Sequence, residues 1–430
     1  MRPHLCIGLS LSPTWLRGSA WRRPDSRAEE LFDAQFYVDA ALAAEAAHLD
    51  FVFKPDVLSL DPTALATGMG FATLDPFVMM TAVAQVTERI GLIPTTSATF
   101  VPPYLAARQV ASLDRISRGR AGLNVVMSMA GNENFGVETM PPSHERFAAA
   151  HEWIEDLHAL GRSFPADALV TDRSTGQFAD AALVSALPDR GAGRPRGPLN
   201  VPAWGGGRTP IVQAGGSPAG RDFAAARADA VFAAAPTLAS ALEQRTDLRR
   251  RAVDHGREAD DVRVLPGLAM FLAPTREEAL ALFREGIDES EVAKSLAGLS
   301  RLLGTDLGAF DVNAPIPVDA VSVEAHDPDP VLAGLGTLIA RGASPRELAL
   351  SPEGAASLHW TVIGTPADAV EAVVARAQAG AIDGFIALPS GSWESLRLFT
   401  EQVVPALAAR GLVRSSYESD TLRGHWGMPD

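Results

Sequence analysis

The segment with the most chemical content in this chain is Gln213-Ala214-Gly215-Gly216-Ser217-Pro218. A short β-like run ends there, two glycines follow, and a helix begins. Serine is a favoured residue just before a helix, and proline suits its first turn. Glycines let backbone N–H groups come close to an anion, and the helix dipole favours negative charge at that end. The turn can therefore cradle a phosphate at Gly215, Gly216 and Ser217. It lacks the lysine of a nucleotide-binding P-loop. By itself such a turn is, in most proteins, a plain helix start.

Three other places carry polar groups at the ends of apolar runs. Val52, Lys54 and Asp56 alternate, so they share one face of a strand over 51–56. If that face is internal, a lysine and a carboxylate sit at the mouth of the fold, either as an ion pair or as a working pair. Ser97, Ala98 and Thr99 end one run, and Asn124 to Ser128 end another. Small and hydroxyl side chains there suit a flat ring lying against backbone. His144, in Pro-Pro-Ser-His-Glu-Arg-Phe, precedes a helix that either Ser143 or His144 could cap. No histidine or carboxylate cluster has metal-ligand spacing, and there is no Gly-x-Ser-x-Gly elbow.

The elements that must position these groups alternate. Strands are expected at 5–11, 51–56, 90–99, 121–128, 211–214, 230–234, 262–271 and 384–388. Helices are expected at 32–47, 76–87, 105–116, 147–160, 218–227, 238–255, 366–379 and 393–410. Eight strands with intervening helices imply parallel strands and crossovers. The fold class is α/β. A closed (β/α)₈ TIM barrel is the first reading, and an open doubly wound sheet is the alternative. Two stretches break the rhythm, at about 161–209 and 275–355. They are read as insertions between strands four and five and between strands seven and eight of one domain over 1–430. In a barrel they would lie over the C-terminal strand ends, where sites form; surface decoration or an oligomer contact is the other reading.

The composition narrows the function. With 430 residues, 47% hydrophobic and 21% charged, the chain can bury a large core. A net charge of −15 argues against nucleic acid. The single cysteine, Cys6, excludes an internal disulfide and sits in an apolar run that reads as core. That run is too short for a leader, and no stretch approaches the roughly 18 apolar residues of a membrane span. The expected location is the cytoplasm. Lys54 and Lys294 are the only lysines.

Taken in order, the local patterns resemble the luciferase-like flavin monooxygenases. The similar branch holds the nitrilotriacetate, long-chain alkane and dibenzothiophene sulfone monooxygenases. The resemblance rests on Ala20-Trp21-Arg22, Phe53 with Asp56, Val86 to Leu92, Ala111-Ser112-Leu113-Asp114 and Gly119 to Val126. It continues through Asn134-Phe135-Gly136, Gly197 to Pro202, Gln213-Ala214-Gly215, Leu265-Pro266-Gly267 and Gly364-Thr365-Pro366. Asp383-Gly384-Phe385, Val404-Pro405 and the tail from Tyr417 to Gly427 complete it.

The resemblance implies a two-component enzyme. A separate flavin reductase supplies reduced FMN, and dioxygen forms a flavin (hydro)peroxide that oxygenates a small organic substrate. The ring would lie along Asp56, Ser97, Thr99 and the segment from Asn124 through Met127 to Ser128. The phosphate would sit on Gly215, Gly216 and Ser217. Relatives carry a His and a Tyr four residues apart at the start of the fourth helix. Here Ser143 and Phe147 stand at those positions, with His144 one residue away as the candidate proton-handling group. Met127 takes a usual Thr position, Gly216 a usual Ser position, and Lys54 a small or apolar one. A Lys54 cation near the ring would favour the anionic reduced flavin. Pairing into homodimers or larger assemblies is also implied. An F420-dependent oxidoreductase and a flavin-binding barrel without turnover remain as alternatives.

Overall fold

The structure, a computed structural model, describes residues 4–206, 208–322, 330–355 and 359–428. Strands β1 (Cys6–Ser10), β2 (Phe51–Lys54), β3 (Gly91–Ser97) and β4 (Leu123–Val126) pair in parallel in that order. A small antiparallel hairpin, β5 (Leu169–Asp172) and β6 (Gln177–Ala179), stands apart from them. The parallel series resumes with β7 (Ile211–Ala214), β8 (Ala230–Ala233) and β9 (Arg263–Leu272). After β10 (Trp360–Gly364), strand β11 (Gly384–Pro389) pairs with both β9 and β1. Eight parallel strands thus close a (β/α)₈ barrel, and no open sheet edge is left on that ring. β10 is an additional parallel strand that sequence reading left unassigned. It runs along β9 from Leu268 to Leu272, beyond the Arg263–Pro266 stretch that β8 covers.

Helices α1 (Ala34–Ala46), α2 (Pro76–Val86), α3 (Pro103–Ser117) and α4 (Ser143–Arg162) follow β1 to β4. α5 (Pro218–Arg227) and α6 (Leu238–Asp254) follow β7 and β8. The stretch after β9 holds α7 (Arg276–Glu285), α8 (Glu289–Leu303), α9 (Pro330–Ala340), α10 (Pro345–Ala349) and α11 (Pro352–Ala355). α12 (Pro366–Gln378) joins β10 to β11. The final helix expected over 393–410 is broken into α13 (Trp393–Leu398), a π-helical turn Phe399–Val403 and α14 (Val404–Ala409). Pro405 has no N–H to donate, so the regular ladder cannot run through it.

Alternation along the strands builds two apolar layers. Phe51, Phe53, Ile93, Val212, Leu265 and Ile386 point into the barrel and pack together. Ile7, Val52, Leu92, Val125, Val264 and Phe385 point outward under the helices. Each such side chain contributes about 1.5–3 kcal/mol when fully buried. The tail seals the N-terminal end of the barrel. Leu422 of α15 (Leu422–His425) and Trp426 join the inner layer, with Trp426 edge-on to Phe51 at 5.7 Å and under the Arg263 guanidinium at 5.3 Å. With the bore closed at that end, the C-terminal mouth is where a barrel of this kind is expected to carry its site.

Both irregular stretches have anchors of their own. The segment after α4 is tied down through Asp156, whose buried carboxylate pairs with Arg190 at 3.0 Å and Arg194 at 2.7 Å. The segment after β9 has a separate apolar cluster that includes Leu299, Leu303, Ile316, Leu335 and Leu348. Among the described residues, no helix is long and apolar enough to cross a membrane.

Candidate active site

A band of small polar side chains faces inward at the C-terminal mouth. On β3, Ile93 belongs to the inner layer, so Thr95 and Ser97 share its face. Asn124 on β4 stands beside Thr95 in register. The Thr95 hydroxyl donates to the Lys54 carbonyl at 2.7 Å and accepts from Asn124 Nδ2 at 2.9 Å. Beyond the strand ends, Ser97 and Ser128 share a hydroxyl–hydroxyl bond of 2.8 Å, and Thr99 N–H donates to Ser97 Oγ at 3.2 Å. Two atoms in this band are buried without a hydrogen-bond partner among the described residues: Asn124 Oδ1 and Thr99 Oγ1. A buried polar atom left unpaired costs about 1–3 kcal/mol, which a bound donor would recover.

Lys54 and Asp56 stand differently from expectation. β2 stops at Lys54, because Pro55 cannot donate to a ladder. Phe51 and Phe53 take the inner face, so Val52 and Lys54 point into the helix layer. Lys54 Nζ donates to Thr73 Oγ1 at 2.6 Å and lies 5.5 Å from the Tyr37 ring centroid. Burial pushes this ammonium down to about 8, with Asp56 and Asp75 opposing the fall. The expected cation over a ring in the barrel is therefore absent at Lys54. Asp56, half-buried past the strand end, is raised above the usual carboxylate range by burial, against the pull of Lys54.

The capped helix start after β7 forms as the residues suggest. Ser217 is the cap of α5, its Oγ accepting from Gly220 N at 3.1 Å, and Pro218 opens the helix. The cap uses only a lone pair of that hydroxyl, so a phosphate here would meet backbone N–H groups and the Ser217 O–H. A Cβ placed on Gly216 would meet no heavy atom within 4 Å, whereas one on Gly215 would come 2.5 Å from Gln213 Nε2. Arg221 Nε donates to the Gly216 carbonyl at 3.2 Å, and its Nη1 is held by Glu243 and Asp247. Phe147 reaches the turn from α4, with Cζ 3.5 Å from where a Gly220 Cβ would lie. Met127 is half-buried just beyond β4, packed against the outer core.

The expected cap at α4 is not made. Pro142 occupies the N-cap position with no side-chain bond, and Ser143 is already the first helical residue. His144 follows it on the first turn. Its side chain is 81% exposed, and its one ion-pair or hydrogen-bond contact among the described residues is the Glu145 carboxylate, at 3.9 Å.

One residue at the mouth was missed from sequence. His359, just before β10, stacks on Phe232 with centroids 5.5 Å apart and planes 15° apart. Phe232 in turn packs on Phe53 at 5.7 Å, so three rings line up across the lumen. Gly267 permits this, because a Cβ there would fall 2.8 Å from His359 Nδ1. Nδ1 is buried with no partner among the described residues. Burial, with Arg17 nearby, pushes the imidazole down to about 4, so it is neutral at physiological pH. A cavity of about 470 Å³ opens beside it, floored by Ala269, Phe271 and Thr361. The β-branched run Trp360-Thr361-Val362-Ile363-Gly364 was the available signal; read as a strand, it would have placed His359 and Thr361 on one face.

The mouth thus has two halves. The β3–β4–β7 half offers amide, hydroxyl and open-turn groups, with Arg221, already paired to Glu243 and Asp247, at the turn. The β9–β10–β11 half offers a neutral imidazole beside a cavity. The donor set of the first half fits FMN: an unpaired Asn124 carbonyl for a ring N–H, an unpaired Thr99 hydroxyl, and N–H groups at a helix start for a phosphate.

The family described as luciferase-like monooxygenase matches residues 17–383. N-acetyl-S-(2-succino)cysteine monooxygenase of Bacillus subtilis (strain 168) is 33% identical, over 99% of this chain and 97% of that protein. Nitrilotriacetate monooxygenase component A of Aminobacter aminovorans is 34% identical, over 98% and 96%. Among solved structures, riboflavin lyase with modified FMN and its substrate riboflavin superposes with a TM-score of 0.80 at 28% identity, covering 99% of this chain and 96% of that one.

Proposed function

The chain belongs to the luciferase-like monooxygenase family, and we propose from that premise that it is the oxygenase half of a two-component system, using reduced FMN and dioxygen on a small organic substrate. The observation that carries this reading is the polar band at the barrel mouth. Asn124 Oδ1 on β4 and Thr99 Oγ1 just past β3 are buried and unpaired among the described residues, and β4 lies beside β7, which leads into the open turn before α5. When bound, reduced FMN supplies the two electrons that, with two protons, divide dioxygen between the substrate and water; a separate reductase supplies that FMN.

The chain's own residues bind, orient and exclude water. Asn124 and Thr99 hold the ring's polar edge, with Ser97 and Ser128 fixed beside them by their mutual bond. The Gly215–Ser217 turn takes the phosphate, with Phe147 packed behind it. Phe53 and Phe232 keep the lumen below dry. His359 offers its unpaired Nδ1 as a neutral hydrogen-bonding group toward the reacting end of the substrate. We assign that role to His359 over His144, because the His144 side chain is exposed on the first turn of α4. The relatives named above act on a succinated cysteine and on nitrilotriacetate; the substrate of this chain is to be read from its own cavity.

The test is a titration of the purified chain with oxidised and reduced FMN, riboflavin and F420, followed by turnover with a generic flavin reductase. Tight binding of reduced FMN, weaker riboflavin and no F420 is expected. Preference for F420 would replace the reading with a deazaflavin oxidoreductase, and FMN binding with full release of hydrogen peroxide at every substrate level would reduce it to a flavin-binding barrel. His359→Phe keeps the ring on Phe232, so the fold should stand while peroxide release per turnover rises. The same rise in His144→Ala alone would return the role to α4.

A further inference from the structure

The cavity beside His359 is unusual in its charge. It lies between the ends of β9 and β10 and one face of α8. Arg17, after β1, and Lys294 and Arg301, on α8, line it, against one carboxylate among the described residues, Glu291. Positions 291, 294, 298 and 301 recur at helical spacing, so α8 presents them together, while Leu299 and Leu303 anchor its other side in a separate apolar cluster. Glu291 is bonded to Lys294 at 2.6 Å. The Arg17 and Arg301 side chains make no hydrogen bond or ion pair with any described residue. On a chain with a net charge of −15, this is a locally positive hollow. Its floor, by contrast, is largely apolar, with Ala269 and Phe271 beside the neutral ring of His359. About 470 Å³ is far more room than one inorganic anion fills.

We propose that this cavity is built for a small organic carboxylate, its charged end held by Arg17 and Arg301 and its oxidisable end laid against Phe271 and His359. The proposal rests on the monooxygenase reading for its meaning, since it names the substrate class. Planar guanidinium groups match carboxylate geometry with paired donors, and an apolar floor accommodates the carbon skeleton. Lys294, tied to Glu291, sets the rim.

The experiment is calorimetric titration of the whole chain at fixed ionic strength. The probes are glutarate and tricarballylate, their neutral amides glutaramide and tricarballylamide, and sodium sulfate. Saturable binding of at least one carboxylate is expected, with its amide and sulfate binding at least tenfold more weakly. Arg17→Gln and Arg301→Gln should each weaken it about tenfold. Arg397→Gln, on an exposed face of α13 where Arg397 pairs with Glu394 at 2.6 Å, should leave it unchanged. Both tested arginines are exposed, so the variants are expected to fold; their melting curves check this, and Arg301→Lys should rescue part of the loss. The proposal is overturned if neither carboxylate binds, if amide or sulfate binds equally well, or if the Arg17→Gln/Arg301→Gln double variant keeps wild-type affinity. FMN titrated in parallel separates the two readings. Lost FMN binding with intact carboxylate binding sinks the monooxygenase and leaves the anion site; the reverse result does the opposite.

Discussion

Gly216→Ser should strengthen FMN binding without touching the flavin ring. The residue is exposed, and it does not use the left-handed backbone region that only glycine adopts easily. A Cβ there meets no heavy atom within 4 Å, so a serine fits without moving its neighbours. The adjacent Ser217 hydroxyl accepts from Gly220 N at 3.1 Å, which fixes its oxygen in place and leaves only its O–H to donate. A new hydroxyl at 216 has no such duty. A hydrogen bond to a charged group is worth about 1.5–3 kcal/mol, and at a solvated turn the lower end or less applies, so we work with about 1 kcal/mol. That is about a fivefold fall in Kd. The free protein should gain at most about 0.4–1 kcal/mol, from a less flexible unfolded chain. The assay is flavin fluorescence quenching with FMN and riboflavin side by side. FMN should tighten about fivefold and riboflavin should not move. Gly215→Ser is the contrasting variant, since its Cβ would press within 2.5 Å of Gln213 Nε2, and it should weaken FMN. Equal shifts for FMN and riboflavin, or a weaker FMN complex in Gly216→Ser, would refute the placement of the phosphate on this turn.

Phe147→Tyr extends a ring whose Cζ already points at the start of α5, where Gly220 leaves space; FMN should again tighten by a few-fold, about 1 kcal/mol, in the same titration. Asn124→Leu removes the unpaired Oδ1 together with the bond to Thr95, so the free protein should lose less than about 1 kcal/mol in urea unfolding, while FMN and riboflavin both weaken about tenfold or more. Lys54→Met removes a buried cation whose pKa falls from 10.5 to about 8, a penalty of up to about 3 kcal/mol at neutral pH, less about 1 kcal/mol for the lost Thr73 bond. Between pH 8 and 10.5 the unfolded chain holds this proton and the folded chain does not, so wild-type stability rises with pH there. The variant should unfold at higher urea at pH 7 and lack that rise; a wild-type-minus-variant difference that is flat over this range would contradict the burial argument.

How much of this was legible in the residues divides along a physical line. Local rules delivered the barrel: all eight of its strands fall within a residue or two of the expected runs, because alternating apolar stretches and helix-cap chemistry are properties of neighbouring residues. Ser217 and Pro218 declared the start of α5 for the same reason. Ser143 and His144 did not declare α4, because Pro142 already had the dihedral angles of the position they were expected to fill. β10 hid beside the long stretch after β9, since a strand that extends only part of one partner leaves no break in the α/β rhythm.

Period-two alternation ties Lys54 to Val52, but it does not say which face of β2 looks inward. Phe51, Val52, Phe53 and Lys54 are all buried, so neither face is marked by polarity. Barrel closure decides it, by seating Phe51 and Phe53 against Trp426 and Phe232, residues from distant parts of the chain. The same closure carries His359 onto Phe232 and swings α8 so that Arg301 and Arg17 share one hollow. The sequence alone therefore determined the elements and the chemistry at their ends. Which ends meet is set by long-range packing, because facing and proximity are relations between segments that no local pattern encodes.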